Sequence, residues 1–211
     1  MMNLYTYWRS TAAYRVRITL NLKDVEYRLT PVNLVAGEQH EPSYAALNPQ
    51  SLVPVLETSE GLLMQSTAIV EYLEEQFPQP PLLPNQANDR ARVRAFCQTI
   101  ACDVHPLNNL GVLNYLKSDI GADDAAVSRW YAKWVSKAFT ALESVVSQSR
   151  GRYCFGDTIS MADIYLVPQM FNAKRFECDV SPYPILTELV ANVETHPAFA
   201  TAAPALQPDA P

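Results

Sequence analysis

Residues 77–89, FPQPPLLPNQAND, hold four of the chain's 16 prolines. Each proline fixes φ and lacks an N–H, so neither a helix nor a central strand runs through such a stretch. It divides the 211 residues into a part where strand and helix signals alternate and a longer part where only helical spacing persists. We read it as the link between two domains, with boundaries at 1–80 for the first, 81–89 for the linker and 90–211 for an all-helical second domain. Either part is long enough to bury a core.

Within the first part, residues 3–7 (NLYTY) alternate as a short strand, and Ala13, Val16 and Leu20 then recur at helical spacing. Residues 27–32 read as a second strand, completing a βαβ unit whose parallel strands are joined by a right-handed crossover. After a polar loop, LVPVLETSEGLLMQS contains two apolar runs around Thr58-Ser59-Glu60-Gly61, a hairpin signal. Ser66 then falls where an N-cap belongs, ahead of Ala68, Ile69, Tyr72 and Leu73 at helical spacing. The expected order is β-α-β then β-β-α in a mixed sheet. Beyond the linker the spacing predicts helices over about 90–117, 123–148, 160–174 and 183–195. The Pro/Ala-rich tail, 202–211, is expected to be poorly ordered or draped on the surface.

Charge and cysteine usage exclude several classes of function. A net charge of -6 and a pI near 5.1 offer no electrostatic attraction to nucleic acid or to an anionic membrane. No window approaches the ~18 apolar residues of a membrane span, and the first residues lack the pattern of a secretory signal, so a cytoplasmic protein is expected. Cys97, Cys102, Cys154 and Cys178 show neither CxxC nor metal-ligand spacing, so no metal site and no redox dithiol is expected; four free thiols packed in helices is the reading.

Three stretches carry candidate chemistry. In YWRSTAAYRVRITL, residues 7–20, a strand enters a helix through Ser10 and Thr11 with no acid nearby. Hydroxyls and helix N-terminal N–H groups there stabilise an anion, and Arg9 and Arg15 add to the field. A plain N-cap with solvated arginines is the competing reading. In SLVPVL, a cis Val53-Pro54 bond would turn the Val53 backbone outward to pair with a peptide-like ligand. In MQS, Gln65 and Ser66 can meet a ligand carboxylate, against the alternative of an ordinary cap. By contrast SMAD, residues 160–163, reads as a structural capping box ahead of an apolar helix.

With these residues in place, the chain resembles the zeta-class glutathione transferases. The matching stretches are YWRSTAAYRVRITLNLKDVEY, ALNPQSLVPVLE, LLMQSTAIVEYLEEQFP, DVHPLNNLGVLNYL, GRYCFGDTISMADIYLVPQ and AKRFECDVSPYPIL, which span nearly the whole sequence. The resemblance implies a thioredoxin-like N-terminal domain followed by an all-α domain, a homodimer, and glutathione as cofactor. It places Ser10 beside the glutathione sulfur with Thr11 and Ala12 completing the loop, Gln65 and Ser66 at the γ-glutamyl end, and Val53 with Pro54 at the backbone clamp. His40 and Gln50 fall near the glutathione backbone or glycine end. Arg175 in AKRFECD matches an arginine used near substrate, and Arg9 is a second candidate beside Ser10. In DVHPLNN, residues 103–109, His105, Asn108 and Asn109 are further candidates for contact with substrate or glutathione.

The activity implied is cis–trans isomerisation of a small dicarboxylate, maleylacetoacetate, in the breakdown of tyrosine, phenylalanine and related aromatic acids. Leu110 and Gly111 follow the asparagine pair where sequences acting on maleylpyruvate tend to carry arginines, which tilts the reading away from that substrate. General transferase or peroxidase chemistry on electrophiles such as haloacids, and a non-catalytic binding module, are the alternatives. One departure matters: Ala12 stands where related loops often have cysteine, so this loop supplies no thiol of its own.

Overall fold

The computed structural model describes residues 1–211. Alternation in the first strand has a direct consequence: in β1 (Met2–Thr6), Leu4 points to one face of the sheet and its neighbours to the other. Leu4 meets Val16 and Leu20 of α1 (Thr11–Leu22), Leu56 of β3 (Val55–Thr58), and Ile69 and Leu73 of α3 (Ser66–Gln76), forming a fully buried core. On the opposite face Tyr7, Val32, Tyr44, Val53 and Val55 pack together, with Tyr44 supplied by a short helix, α2 (Pro42–Leu47).

The sheet order is β2-β1-β3-β4, with β2 spanning Tyr27–Pro31 and β4 Gly61–Met64. β1 runs parallel to β2, with Leu4 opposite Leu29, and antiparallel to β3, with Leu4 opposite Leu56. β3 and β4 form the expected hairpin, closed by a turn whose Gly61 has φ 136°, a conformation that glycine adopts at little cost. The β-α-β, β-β-α order read from the sequence is present in this mixed sheet. The additional helix α2 lies in what reads as a polar loop; Pro42 at its first turn is the signal for it.

The chain divides into two compact units, residues 1–81 with 196–211, and residues 82–195. This corrects the expected 81–89 linker and 90–211 second domain: the tail belongs to the first unit, residues 82–89 belong to the second, and 87–89 already lie in its first helix. Asn21 Nδ2 donates to the Ala198 C=O at 3.0 Å and to Thr201 Oγ1 at 3.1 Å. Arg17 Nε donates to the Ala202 C=O at 3.1 Å, and the Trp8 N–H to Asp209 Oδ2 at 2.8 Å. Ala202, Pro204 and Gln207 are buried, so the segment, which includes α9 (Pro197–Ala200), is ordered by packing rather than by local propensity.

The second unit is helical: α4 (Ala87–Asp103), α5 (Leu110–Ser118), α6 (Asp124–Ser149), α7 (Met161–Arg175) and α8 (Pro184–Val193). The single helix expected over 90–117 is two, because the chain turns at 104–109, around Pro106, and Asn109 caps α5 by accepting from the Gly111 N–H at 3.1 Å. α7 is the central helix of this unit, with Met161–Met170 buried throughout. The SMAD capping box is present: Asp163 Oδ2 accepts from the Ser160 N–H at 2.8 Å and from Ser160 Oγ at 2.9 Å. Asp163 Oδ1 accepts from the Cys154 N–H at 3.0 Å.

The four cysteines are free. Cys97 and Cys102 lie in α4, whereas Cys154 and Cys178 lie outside helices, and Cys102 is exposed, which corrects the expectation of four packed helical thiols. No helix is long and apolar enough to cross a membrane. No group of three or more His, Cys, Asp or Glu residues is placed to hold a metal ion.

Candidate functional site

Ser10 ends the turn between β1 and α1 with extended backbone (φ -65°, ψ 115°), and its Oγ accepts from the Ala13 N–H at 3.2 Å. It is the N-cap that the sequence implies, and no acidic residue occupies the first turn of α1. The positive end of this helix is therefore not neutralised by its own side chains. Thr11 and Ala12 are buried in that first turn, while Ser10 stays partly accessible.

The arginines of this region depart from the solvated picture. Arg15 and Arg17 are 1% and 0% exposed. Arg15 Nη1 donates to Ser66 Oγ at 3.4 Å, which links α1 to the start of α3. Arg17 Nη1 donates to Thr6 Oγ1 and Nη2 to the Trp8 C=O, both at 3.1 Å. Arg9 is partly buried; its Nη2 donates to the Tyr7 hydroxyl at 3.0 Å and its guanidinium lies 4.7 Å from the Trp8 ring centroid. Arg9 Nε is buried and makes no hydrogen bond.

At the other stretches, Gln65 and not Ser66 occupies the N-cap position of α3; Ser66 is the first helical residue. The shift by one residue follows from Gln65, whose φ of 68° ends the strand and turns the chain into the helix. Gln65 Nε2 donates to Gln50 Oε1 at 2.8 Å, so two residues distant in sequence meet. The Val53–Pro54 bond is cis. Val53 precedes the β-ladder, which begins at Val55 opposite Tyr5. The neighbouring Leu52 C=O is occupied by the Tyr44 hydroxyl at 2.7 Å and Asn48 Nδ2 at 2.8 Å. His40 is exposed at the end of a short 3-10 turn (Glu38–His40).

The candidates of the second unit form their own set. Arg175 ends α7 with its guanidinium 4.7 Å from the Phe176 ring, and Phe176 stacks on Tyr131 at 3.9 Å. Burial pushes the Tyr131 hydroxyl upward in pKa, and the Arg175 charge acts against that. Asn108 Nδ2 donates to the Tyr131 C=O at 3.2 Å. Asn109 spends its side-chain oxygen on the α5 cap. His105 is half-buried in the turn after α4.

Sequence reasoning missed Gln50 as the partner of Gln65, Trp8 as the seat of Arg9, and Phe176 and Tyr131 as the support of Arg175. The aromatic residue directly following Arg175 was the available signal for the last.

The first unit suits a polar, anionic ligand: a helix N-terminus without an acid, a buried arginine nitrogen with no hydrogen bond, and a polar amide, Gln65, at the start of α3. Comparison with known proteins agrees with this. Residues 4–81 match the family described as "Glutathione S-transferase, N-terminal domain", and residues 110–201 match "Glutathione S-transferase, C-terminal domain". A maleylpyruvate isomerase from Ralstonia sp. is 49% identical over 210 residues, covering 99% of both chains. The holo structure of a bacterial maleyl pyruvate isomerase, described as a zeta-class glutathione S-transferase, superposes with a TM-score of 0.97 at 47% identity, covering 99% of this chain and 100% of that one. Maleylacetoacetate isomerase from Methylobacterium extorquens AM1, solved with bound malonate and GSH, gives 0.95 at 38% identity over 99% of each chain. The chain belongs to the glutathione S-transferase family and, within it, to the zeta class.

Proposed function

We propose that this protein is a glutathione-dependent cis–trans isomerase whose principal substrate is maleylacetoacetate. The observation that carries the reading is the start of α1, where Ser10 caps a helix that has no acid in its first turn while Arg9 lies alongside. Bound glutathione supplies a thiolate that adds reversibly to the cis double bond, permits rotation about the resulting single bond, and leaves the alkene trans.

The chain's own residues have to hold that sulfur as an anion at neutral pH, since a free thiol with a pKa of about 8.5 is mostly protonated there. The Ser10 hydroxyl donates to the sulfur, and the α1 N-terminus and Arg9 stabilise its charge. Thr11 and Ala12 shape the turn. With alanine at 12, the loop itself offers no thiol to act as nucleophile or form a mixed disulfide. Gln65 and Ser66 receive the γ-glutamyl end, with Gln50 bracing Gln65. The Val53 backbone, ahead of the ladder, pairs with the peptide portion, and His40 lies towards the glycine end. Arg175 binds a substrate carboxylate, because a planar guanidinium matches a carboxylate bidentately. His105 and Asn109 contact substrate or glutathione. The reading includes a homodimer and a cytoplasmic location, as the family implies.

Maleylpyruvate is the second reading, supported by the 49% identity to the Ralstonia enzyme. Maleylacetoacetate and maleylpyruvate should be followed spectrophotometrically with and without glutathione, alongside a chlorinated aromatic electrophile. Glutathione-dependent isomerisation with a higher kcat/KM for maleylacetoacetate is expected. Turnover of neither maleyl compound removes the isomerase reading, and conjugation of the electrophile alone replaces it with general transferase chemistry.

A further inference from the structure

Trp8 lies in the turn between β1 and α1, two residues before Ser10, and its backbone is gripped on both sides of the Cα, by Asp209 from the far end of the chain and by Arg17 of α1. Its N–H donates to Asp209 Oδ2 at 2.8 Å, and its C=O accepts from Arg17 Nη2 at 3.1 Å. Arg17 is fully buried and directs its other donors to Thr6 Oγ1 and the Ala202 C=O. One guanidinium thus ties the end of β1, the turn and the segment 196–211 together. Burial lowers the Arg17 pKa to about 10, with the charges of Tyr27, Tyr14 and Asp209 opposing, so it is a cation at neutral pH.

What the Trp8 backbone supports is the edge of the site. The Trp8 ring carries the Arg9 guanidinium, and the Ser10 N–H closes the turn onto the Tyr7 C=O at 2.9 Å. A displacement of the Trp8 backbone moves both Arg9 and Ser10.

We propose that Asp209 is a positioning residue for the isomerisation: with Arg17 it clamps the Trp8 backbone on both sides of its Cα and thereby sets Ser10 and Arg9 against the cofactor sulfur. This rests on the assignment of Ser10 to that sulfur. Asp209 acts through the turn and touches no ligand. Its bond is charge-assisted, hence stronger than a neutral one. The segment that bears it is held to the unit by other contacts as well, Asn21 to Ala198 and Thr201 and Arg17 to Ala202, and is braced within itself by Gln207 Nε2, which donates to the Thr201 and Ala203 C=O groups at 3.1 and 2.9 Å. Removing the carboxylate therefore leaves the segment in place.

The test compares Asp209→Ala and Asp209→Asn with the unaltered protein. Three quantities are read: the ultraviolet thiolate absorption of the glutathione complex without substrate, kcat and KM for isomerisation, and hydrogen exchange at the Trp8 and Ser10 amides. In Asp209→Ala the thiolate signal falls, kcat drops about tenfold, KM for the maleyl substrate stays nearly constant, and both amides exchange faster. Asp209→Asn, whose amide oxygen still accepts from the Trp8 N–H, recovers most of each. A wild-type thiolate signal and kcat in Asp209→Ala overturns the proposal whatever the Tm, and so does an Asn variant as impaired as the Ala variant. If the unaltered protein itself shows no thiolate signal, the Ser10 assignment fails instead. The amide exchange then decides the clamp, and unchanged protection in Asp209→Ala overturns it.

Discussion

α1 and α7 both begin with a serine at the cap, yet their first turns are opposites. At α7 the Ser160 cap is answered by Asp163, whose carboxylate takes three hydrogen bonds inside a fully buried setting. At α1 the Ser10 cap has no acid behind it, and three arginines, at 9, 15 and 17, lie in or next to the first two turns. A helix that neutralises its own N-terminus contributes to stability; one that does not retains a field for an external anion. The same cap chemistry thus serves the fold in one unit and, in the function proposed above, the site in the other.

The largest test of this contrast is Asp163→Ala. It strands three buried donors, so a loss of about 3 kcal/mol or more is expected, read by chemical denaturation, with kcat per folded molecule nearly unchanged. A loss of turnover at unaltered stability would sink the structural assignment of α7.

Ser10→Ala is the counterpart. Loss of the cap lowers stability by about 1 kcal/mol, while loss of the sulfur contact lowers kcat by roughly 10²-fold. A silent Ser10→Ala with a crippled Thr11→Ala would move the sulfur contact by one residue.

The far end of α7 provides a smaller test, because Lys174 and Arg175 also suit the negative end of a helix. We expect Arg175→Ala to raise KM for the maleyl substrate about tenfold, or about 1.4 kcal/mol, without moving Tm appreciably. A lowered Tm with unchanged KM would reduce Arg175 to a helix-end charge.

The smallest effect concerns pH. Burial raises the Asp163 pKa, with the hydrogen bonds from Cys154 and Ser160 opposing. The folded state therefore holds this proton more tightly than the unfolded chain, and the associated stability is present below the ordinary Asp range and lost as pH rises through the folded value. Compared with Asp163→Asn, which does not titrate, the unaltered protein gains most at acid pH. The stability difference narrows as pH rises, and a constant difference in pH-dependent urea melts would contradict the raised pKa.

Much of the architecture was legible because its signals are local. Alternation in NLYTY, the turn residues between β3 and β4, and the capping box at SMAD each occupy a few consecutive positions. The break at Pro106 and the helix opened by Pro42 were equally local, but a residue that can end or start a helix does not say which it will do. At the candidate site, the Ser10 cap of α1 was legible from type and position, whereas the start of α3 was read one residue late, at Ser66 instead of Gln65. The Gln50–Gln65 pair and the burial of Arg15 and Arg17 were not, because the partners are brought up by the sheet.

By itself the sequence determined the β-α-β, β-β-α order and a helix start that lacks both acid and thiol, since each depends on residue type at short range. The tertiary structure decided which arginines are buried and where residues 196–211 pack. Trp8 meets Asp209, and Arg17 meets Ala202, across nearly the whole length of the chain. No periodicity encodes such pairings; they form because the first unit has backbone polar groups at its edge that burial obliges it to satisfy.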